Sequence, residues 1–590
     1  MRRLLGACWP VLVAVGVGAC SAAAAGPAPA PAASPIRPSS APGIGLPVSP
    51  LSEEQKILHA LSRLGYGPRP GDIERVGQMG LHAWIERQLD PRKIPDPAVD
   101  QMLAGYPTLG MTTAELAREY PRPSKQVQEK LASGQMTRQE MQQMFPPEKR
   151  PFRITGEMQG AKVARAVMSE RQLQEVMVDF WFNHFNVFAQ KGQVRWMLPS
   201  YERDAIRPHA LGKFRDLVNA TAHHPAMLFY LDNWMSTRAD LTMPAGPNRG
   251  KKMGLNENYA RELMELHTLG VDGGYSQQDV IEVARAFTGW TIERPEKGGE
   301  FVFRPIAHDR GEKRILGHVI RAGGGELDGM QVIDILARHP STATFISTKL
   351  VRRFVSDEPP PALVERAAGT FRRTDGDIRA VLTTIFSSPE FWSAEAYRAK
   401  VKTPFDVVVS AARALDTQIA SPGAASAYPN QDLTMTARPN VAERALERGG
   451  FNVGGGFVLA RQVAPLGEPL YEMQPPTGYP DVAEAWVNTG ALLARMNFAL
   501  ALAHNRLPGA RVDLPKLLTG ADRSRPDRVL DRLLTLLLHG QASPETRKVL
   551  AAQLDSPEIT RSTAYDVGPK HTDVEKLAAL VLGSPEFQRR

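Results

Sequence analysis

The most informative shortage in this 590-residue chain is cysteine, because only Cys8 and Cys20 are present. Both lie in the first twenty residues, so the rest of the chain can hold neither a disulfide nor a thiolate metal site. The same shortage excludes zinc ribbons, iron–sulfur clusters and cysteine hydrolases. The body must therefore be stabilised by its hydrophobic core, and a chain of this length can bury a large one.

The sequence also lacks the motifs that identify several common enzyme classes. It contains no Gly-rich phosphate-binding loop, no Gly-x-Ser-x-Gly nucleophile elbow and no dinucleotide-binding fingerprint. The formal net charge is +8, but no dense basic run with interleaved aromatic residues is present, so nucleic acid is not an expected partner. Hydrophobic residues make up 43% and charged residues 23% of the chain, which is typical of a globular protein.

The N-terminus has the pattern of an export signal. Two arginines precede an apolar stretch from Leu4 to Val17, which is too short to span a membrane. Its end, VGAC, resembles a bacterial lipobox, so residues 1–20 are predicted to be a lipoprotein-type signal peptide with lipidation at Cys20. The alternative is ordinary secretion with cleavage after Cys20. Either outcome predicts a cell-envelope protein, lipid-anchored on the outer-membrane or periplasmic side, or secreted.

Composition and hydrophobic periodicity divide the rest of the chain. Residues 21–50 are rich in Ala, Pro and Ser and are predicted to form a tether, followed by the folded domain at 51–590. Apolar residues recur at helical spacing through most of that domain, which predicts a mainly α fold, a large multi-helical domain with two lobes. The main helical lobe would cover 51–415, with an exposed insertion at 120–151. A long loop region at 416–480 would separate it from a C-terminal helical lobe at 481–590.

One segment interrupts the helical pattern. Residues 301–303 and 314–320 alternate apolar and polar side chains, which predicts a small β-hairpin near 301–320 whose turn contains His308 and Asp309. A His–Asp pair in a loop is typical of acid–base chemistry or ligand binding, since loops carry function more often than cores do. The basic residues beside the pair could equally make it part of a surface salt-bridge cluster.

A carboxylate-rich stretch, NENYARELMELHTLGVDGGYSQQDV, begins at Asn256. On a regular helix Glu262 borders the apolar stripe while His267 projects from the opposite flank, so the carboxylates and the histidine cannot converge on one metal ion. No metal site is therefore predicted. A partly buried carboxylate needs a partner or has a raised pKa, so Glu262 is either in a structural ion pair with Arg285 or Arg352, or a general acid or base.

A second stretch, FWFNHFNVF, begins at Phe180 and sets polar residues among aromatic rings. His184 lies on the apolar face of its predicted helix, where a histidine is either a core residue with one hydrogen bond or part of a functional site. The tryptophans of this region, Trp181 and Trp290 among them, either fill the core or line a cleft for a flat ligand such as a sugar ring.

The sequence resembles one bacterial family. The blocks that carry the resemblance are FWFNHF, HPAMLFYLDN, the NENYAREL stretch, ARAFTGW, HDRGEK, HPSTATFISTKLVRRFV and GEPLYEMQPPTGYPD, in order from about Leu58 to the C-terminus. They are similar to the family catalogued as domain of unknown function 1800. The resemblance implies an exported envelope protein with no established catalytic residues. It also implies that the gene neighbours a gene of another exported family, catalogued as domain of unknown function 1501. That second family is similar to the alkaline phosphatase–sulfatase superfamily.

Two functions are therefore predicted as alternatives. The first is a hydrolase acting on an envelope or extracellular polymer, whose candidate catalytic residues are Glu262, His184, His308 and Asp309. Its ligand-lining residues would be Asn256, Asn258, Arg261, Trp181, Asn183 and Trp290. The second is a non-catalytic binding or assembly partner of the family-1501 protein, held at the membrane by the N-terminal lipid anchor. The sequence does not identify a cofactor.

Overall fold

A computed structural model describes residues 44–146, 149–239, 241–242, 250–294, 297–423, 454–522, 525–554, 560–561 and 571–590. The predicted signal peptide, Cys20 and most of the tether lie outside these residues. The last residues of the predicted tether pack on the folded domain instead of extending from it. Ile44 is 4% exposed, and the hydroxyl of Ser49 donates to the backbone oxygen of Trp392 at 2.6 Å.

Helices make up most of the regular structure in the first half of the described chain. Its α-helices are Glu53–Arg63, Asp72–Met79, Leu81–Leu89, Pro97–Leu103, Thr113–Glu119, Lys125–Ala132, Arg138–Gln143, Phe152–Met168, Gln172–His184, Val194–Ser200, Phe214–His223, Pro225–Tyr230, Asn258–Glu262 and Gln277–Ala286. Two π-helical segments, Tyr201–Ile206 and Leu263–Thr268, continue α-helices without a break. Short 3₁₀ turns cover Pro91–Lys93, Pro107–Leu109, Arg207–His209 and Asn233–Met235.

The second half continues in the same way. Its α-helices are Leu327–Arg338, Pro340–Phe354, Pro361–Arg373, Ile378–Phe386, Pro404–Ala414, Gly454–Val463, Thr489–Ala503, Leu514–Leu517, Pro526–Leu538, Pro544–Gln553 and Val574–Leu582, with 3₁₀ turns at Ala464–Leu466 and Ala483–Ala485. The predicted mainly α fold with small β-hairpins is confirmed. Within the described ranges, no helix combines the length and the apolar character needed to cross a membrane.

Among the residues that the structure describes, the strands form four antiparallel pairs of two strands each. These are Trp290–Ile292 with Phe301–Phe303, Lys313–Ile315 with His318–Ile320, Gln418–Ile419 with Ala510–Arg511, and Thr560–Arg561 with His571–Thr572. The predicted hairpin near 301–320 is therefore two hairpins, because residues 301–303 pair with the preceding strand, 290–292, and not with the strand that follows. His308 and Asp309 consequently lie in the connection between the hairpins and not in a hairpin turn.

Local sequence explains where many of the helices begin. Ser276 caps the Gln277–Ala286 helix in a reciprocal capping box with Asp279, and Thr403 does the same with Asp406 for the Pro404–Ala414 helix. Each box satisfies backbone N–H groups that the first helical turn leaves without partners. Proline at the first helical position, as in the 340–354 and 404–414 helices, fixes a helical φ where no N–H is needed.

Hydrophobic residues from Ile44 to Phe587 form one core cluster, which includes residues of both predicted lobes. Part of the predicted loop region at 416–480 is a buried helix, Gly454–Val463, packed on the Phe152–Met168 helix. Its glycines indicated a loop, but they serve close packing. A Cβ on Gly456 would lie 2.6 Å from the backbone oxygen of Gly160, so only glycine permits this approach.

Candidate functional site

Five segments that are distant in sequence surround a cavity of about 60 Å³, which has room for about four water molecules. The segments are the Phe152–Met168, Gln172–His184 and Pro340–Phe354 helices, the helix-capping residue Thr403, and the stretch 468–486. The cavity wall combines charged and amide side chains with aromatic rings. This arrangement of a few charged groups among aromatic rings is typical of a ligand site.

Lys162 and Asp179 form an ion pair in the wall of the cavity, with 2.5 Å between Nζ and Oδ1. The same ammonium lies 5.1–5.9 Å from the centroids of three aromatic rings, those of Phe182, Phe405 and Tyr471. Burial acts to lower the pKa of Lys162, but the surrounding carboxylates, led by Asp179, outweigh it and raise the pKa. Lys162 is therefore a permanent cation held by a carboxylate and by ring faces.

Glu468 supplies a second carboxyl group to the cavity wall. The residue is 8% exposed, and its Oε2 accepts a hydrogen bond from the backbone N–H of Phe405 at 2.8 Å. Burial, reinforced by the negative charge of Asp179, raises the pKa of Glu468 to about 8. At neutral pH this side chain is therefore mostly a protonated acid that can give up a proton.

A buried ion network lies close to the Lys162–Asp179 pair. Arg207 donates to both carboxylate oxygens of Glu175, at 2.7 and 3.0 Å, and to Glu202 at 3.1 Å. The hydroxyl of Tyr471 donates to Glu202 at 2.7 Å. Burial acts to raise the pKa of Glu202, but the neighbouring arginines outweigh it and lower the pKa to about 2. A second space of about 10 Å³, room for about one water, is lined by this network and by the Lys162–Asp179 pair.

Two asparagines hold the loop that walls the cavity. The side chain of Asn183 donates to the backbone oxygen of Tyr479 at 2.8 Å and accepts from the N–H of the same residue at 2.7 Å. Asn186 donates to the backbone oxygens of Met473 and Pro475, both at 2.9 Å. The wall is therefore fixed by side chains of the 180–188 stretch, which stabilises the cavity.

Two charged residues of the cavity wall have hydrogen-bonding atoms without partners. Arg353 is 5% exposed, its Nη2 lies 3.7 Å from Asp406, and that nitrogen has no hydrogen-bond acceptor among the described residues. Asp481 pairs through Oδ1 with Lys400 at 3.0 Å, while its buried Oδ2 finds no donor in the described part of the chain. Buried polar groups are normally satisfied, so this donor and this acceptor are exceptions within the cavity wall.

Comparison with known proteins assigns the chain to a family. The family described as "Protein of unknown function (DUF1800)" matches residues 59–589. The chain belongs to this family. The resemblance drawn from the sequence blocks is therefore confirmed. No curated protein and no solved structure matches the DUF1800 chain.

Three of the blocks that carry the DUF1800 resemblance meet at the cavity. FWFNHF contributes Asn183, HPSTATFISTKLVRRFV contributes Arg353, and GEPLYEMQPPTGYPD contributes Glu468, Tyr479 and Asp481. Segments far apart in the DUF1800 sequence thus converge on a single polar cavity, which makes it the candidate functional site.

His184, a predicted catalytic residue, lies beside this cavity. Phe180 lines the cavity and stacks on the His184 ring, with centroids 6.5 Å apart and planes 7° from parallel. His184 Nε2 lies 3.1 Å from the backbone oxygen of His267, so it carries the proton, and Nδ1 accepts from Lys349 Nζ at 2.8 Å. Burial, followed by the charge of Lys349, lowers the pKa of His184 well below its usual value. His184 is therefore a neutral, doubly bonded residue, and a catalytic role for it stays a prediction.

His308, predicted to lie in a hairpin turn, is 1% exposed. Its Nδ1 lies 2.8 Å from the backbone oxygen of Thr288, and its Nε2 lies 3.1 Å from Asp328 Oδ2. Lys313, itself fully buried, donates to the same Asp328 oxygen at 2.6 Å. These three side chains form what we call the His308 cluster: His308, Lys313 and Asp328. In the described part of the chain, no contact joins this cluster to His184 or to Glu262.

Asp309 belongs to a separate ion pair. Arg285 donates to both of its carboxylate oxygens, at 2.9 and 3.1 Å, and also to Glu282 at 2.6 Å. Hydrogen bonds from Arg285, opposed by partial burial, lower the pKa of Asp309. This arrangement supports the salt-bridge interpretation of the pair and leaves an acid–base role for Asp309 as a prediction.

Glu262 lies where the helix changes its geometry. The α-helix Asn258–Glu262 continues as a π-helix over Leu263–Thr268, in which the hydroxyl of Thr268 donates to the backbone oxygen of Leu263 at 2.7 Å. A π-helical turn holds more residues than an α-helical one, so side-chain positions drawn on a regular helix fail beyond Glu262. His267, which the regular helix placed on the flank opposite Glu262, is accordingly 1% exposed.

The predicted ion-pair partners of Glu262 are engaged elsewhere. Arg285 binds Asp309, and Arg352 donates to the backbone oxygen of Asp357 at 3.3 Å. Burial, with a contribution from Glu265, raises the pKa of Glu262. Within the described ranges no group of three or more His, Cys, Asp or Glu side chains is placed to hold a metal ion.

Of the predicted ligand-lining residues, Asn183 lines the cavity. Three of the others have polar partners inside the protein: Asn256 accepts from the backbone N–H of Asn258, Asn258 donates to the backbone oxygen of Leu231, and Arg261 donates to Glu257 and Gln277. The two tryptophans lie in the core, where Trp181 donates to the backbone oxygen of Ala210 and Trp290 is fully buried.

Sequence patterns did not identify five charged residues of the cavity wall: Lys162, Asp179, Arg353, Glu468 and Asp481. A signal was present for two of them, because Asp179 interrupts the apolar run VMVDFWF and Glu468 interrupts PLGEPLY. A charge inside an apolar run must find a partner or change its protonation, and buried charges of this kind cluster at functional sites. The other three residues lie in unremarkable helical or loop sequence and become recognisable only through the cavity.

Proposed function

We propose that this protein is a hydrolase that acts on an envelope or extracellular polymer, with Glu468 as general acid and Asp179 as general base. One observation carries the proposal: a protonated carboxyl and an ion-paired carboxylate line the same cavity. Hydrolysis needs one group that gives a proton and one that takes a proton. Carboxyl groups whose environments separate their protonation states supply that pair.

The reaction follows from these assignments. Glu468 gives its proton to the oxygen or nitrogen that leaves the scissile bond. Asp179 takes a proton from a water molecule, whose oxygen forms the new bond to the substrate. Lys162 and the aromatic rings around it hold the Asp179 carboxylate in position. The cavity has room for the attacking water together with a small part of a polymer.

The proposal is tested by measuring product release from peptidoglycan and from purified polysaccharides. Glu468→Gln and Asp179→Asn should each lower kcat/KM by about 10²- to 10⁴-fold, as removal of an acid or base group does. Glu472→Gln is the matched control, because Glu472 lies on the same loop but outside the cavity lining. Wild-type activity should fall as the pH rises through about 8, where Glu468 loses its proton. Full activity in Glu468→Gln, or no release from any polymer, would contradict the proposal.

A second candidate function is a non-catalytic partner of an exported protein such as that of the 1501 family. It is favoured by three exposed apolar side chains shortly after Trp486 in the chain, Val487, Leu492 and Leu493, which are 48%, 49% and 64% exposed. Exposed apolar patches of this kind are typical of protein interaction sites. The test is co-purification after mild membrane extraction. Wild type should retain a stoichiometric partner that a Leu492→Glu, Leu493→Glu variant loses, and retrieval of nothing by wild type would contradict this candidate.

A further inference from the structure

A separate cavity, of about 40 Å³, shares no lining residue with the candidate functional site. It has room for about three water molecules. Its wall is formed mainly by three helices and two connecting segments: Glu53–Arg63, Pro404–Ala414, Pro526–Leu538, 397–402 and 586–590. Because Arg589 lines the cavity and is exposed, the cavity borders solvent.

Lys402 lines this cavity with an amine that no carboxylate binds. The residue is 8% exposed, and among the described residues its Nζ forms no hydrogen bond and no ion pair. This nitrogen is not one of the fully enclosed atoms that lack partners, so its surface is open to the cavity. Its neighbour is the face of the Phe587 ring, whose centroid lies 3.8 Å away. A ring face attracts N–H bonds but offers no donor, so it leaves the lone pair of a neutral amine unused.

Arg398 brings a positive charge to the same wall. Its guanidinium donates to the backbone oxygens of Leu538 and Gln541, at 3.3 and 3.1 Å, and has no carboxylate partner in the described part of the chain. Arg398 and His539, which also lines the cavity, have φ angles of +54° and +55°. This left-handed geometry is strained for residues other than glycine, and such strain is common at functional sites.

The carboxylate that acts on Lys402 is committed to other cations. Asp406 lies 3.2 Å from Arg590 and 3.7 Å from Arg353. Burial, opposed by Asp406 and reinforced by the nearby arginines, lowers the pKa of Lys402 to about 7. A large share of the Lys402 side chains is therefore neutral amine at neutral pH.

The other titratable groups of the wall supply no free counter-ion. Glu586 accepts from the backbone N–H of Ser543 at 3.0 Å and from the hydroxyl of Thr546 at 2.9 Å. Burial, followed by nearby cationic side chains, lowers the pKa of His59 well below its usual value and that of His539 to about 4. Both histidines are therefore neutral, and the arginines dominate the charge of this cavity.

A neutral amine in a small cationic space is suited to reaction with carbon dioxide. The nitrogen lone pair forms an N–C bond, one C–O π bond breaks with its electron pair moving to oxygen, and the nitrogen releases one proton to water. The product is a carbamate, which is an anion. A cation without a carboxylate partner, as at Arg398, stabilises that anion. Carbon dioxide is a linear three-atom molecule, and the cavity has room for it.

From these observations we infer that Lys402 is a modification site, at which the amine takes up one carbon dioxide molecule as a carbamate that pairs with Arg398. The inference does not depend on the proposed hydrolase function, because neither Glu468 nor Asp179 lines this cavity. Loss of either proposal would leave the other unchanged.

Lys400 provides a matched control within the same protein. It lies two positions before Lys402 and is 1% exposed, but its ammonium binds Asp357 at 2.5 Å and Asp481 at 3.0 Å. It does not line the cavity. An ammonium held by two carboxylates has no lone pair to react, so Lys400 should not form a carbamate.

The test incubates the full chain with isotope-labelled carbon dioxide and bicarbonate near neutral pH. Triethyloxonium then alkylates any carbamate and makes it stable, and peptide mass spectrometry locates the trapped group. Lys402 should carry at least about tenfold more label than Lys400, which corresponds to one pKa unit of difference in amine availability. Equal labelling of the two lysines, or no label on Lys402, would overturn the inference. This comparison uses the wild-type protein, so it does not depend on the folding of a variant.

A variant tests the role of Arg398. Arg398→Gln should lower the labelling of Lys402 by about threefold or more, because it removes a cation that favours both the neutral amine and the carbamate. Arg372→Gln is the control, since Arg372 binds Glu365 on the surface and does not line the cavity, and its labelling should equal that of wild type. Unchanged labelling in a folded Arg398→Gln protein would overturn the pairing of the carbamate with Arg398.

Discussion

The cavity and the His308 cluster each combine a carboxylate, a cation and neighbouring aromatic rings, yet they are built for different purposes. In the His308 cluster, His308, Lys313 and Asp328 are 1%, 0% and 0% exposed and bind one another. At the cavity, a protonated Glu468 lines an open volume of about 60 Å³. The comparison teaches that reactive residue types indicate a site only where they line accessible space.

The largest expected effect concerns the protonation of Glu468. Its pKa is 4.5 in an unfolded chain and about 8 in the folded protein, so the folded state binds the extra proton between these values. The resulting stabilisation is present below about pH 4.5 and is lost as the pH rises through about 8. The free energy of unfolding of wild type, relative to Glu468→Gln, should fall by up to about 5 kcal/mol across this window.

Urea denaturation of both proteins at several pH values measures this difference. Glu472→Gln should run parallel to wild type at every pH, because Glu472 does not line the cavity. Equal pH dependence of wild type and Glu468→Gln would show that Glu468 is not protonated at neutral pH, and the cavity would then resemble the His308 cluster more closely.

A substitution in the His308 cluster should lower the stability of the folded protein. Asp328→Asn leaves the buried Lys313 ammonium without its carboxylate, which should cost about 3–5 kcal/mol in the free energy of unfolding. The exposed control Asp216→Asn should stay within about 0.5 kcal/mol of wild type. The measurement is chemical denaturation followed by circular dichroism. Little loss of stability together with loss of catalysis would reverse the roles assigned to the two regions.

A substitution in the loop that walls the cavity should lower stability by a smaller amount. Gly478 has a φ of +70°, and a Cβ there would lie 2.2 Å from the backbone oxygen of Asn183. Gly478→Ala should therefore cost about 3 kcal/mol, from backbone strain and from displacement of the loop. Gly540 has the same φ but open space around it, so Gly540→Ala should cost only about 1 kcal/mol. Thermal unfolding measures both, and equal losses would show that the contact with Asn183 does not hold the wall.

The smallest effect is expected at Glu262. Its carboxylate forms no ion pair in the described part of the chain, and burial raises its pKa. Glu262→Gln should change the free energy of unfolding by no more than about 0.5 kcal/mol and leave polymer hydrolysis unchanged. A large loss of kcat in a stable Glu262→Gln protein would return the catalytic role to the carboxylate-rich helix.

Much of the fold could be predicted from short-range patterns. The helices of residues 53–63 and 277–286 follow from apolar spacing and from caps at Ser52 and Ser276, all interactions within four residues. The strand partner of residues 301–303 could not, because pairing with 290–292 instead of 314–320 depends on competition between distant segments. The Gly454–Val463 helix was missed because glycine disfavours a helix locally, while close packing on Gly160 favours it.

The sequence by itself determined the mainly α class, the positions of many helix caps, and membership of the DUF1800 family. These depend on local spacing and on contiguous blocks of residues, which a chain displays before it folds. Only the tertiary structure decided which polar residues form a site. Asp179 and Glu468 are nearly three hundred positions apart, yet they line one cavity, in which burial, followed by the charge of Asp179, raises the pKa of Glu468. Burial is a property of the packed molecule, so the same residue types became a closed cluster at His308 and an open one at Glu468.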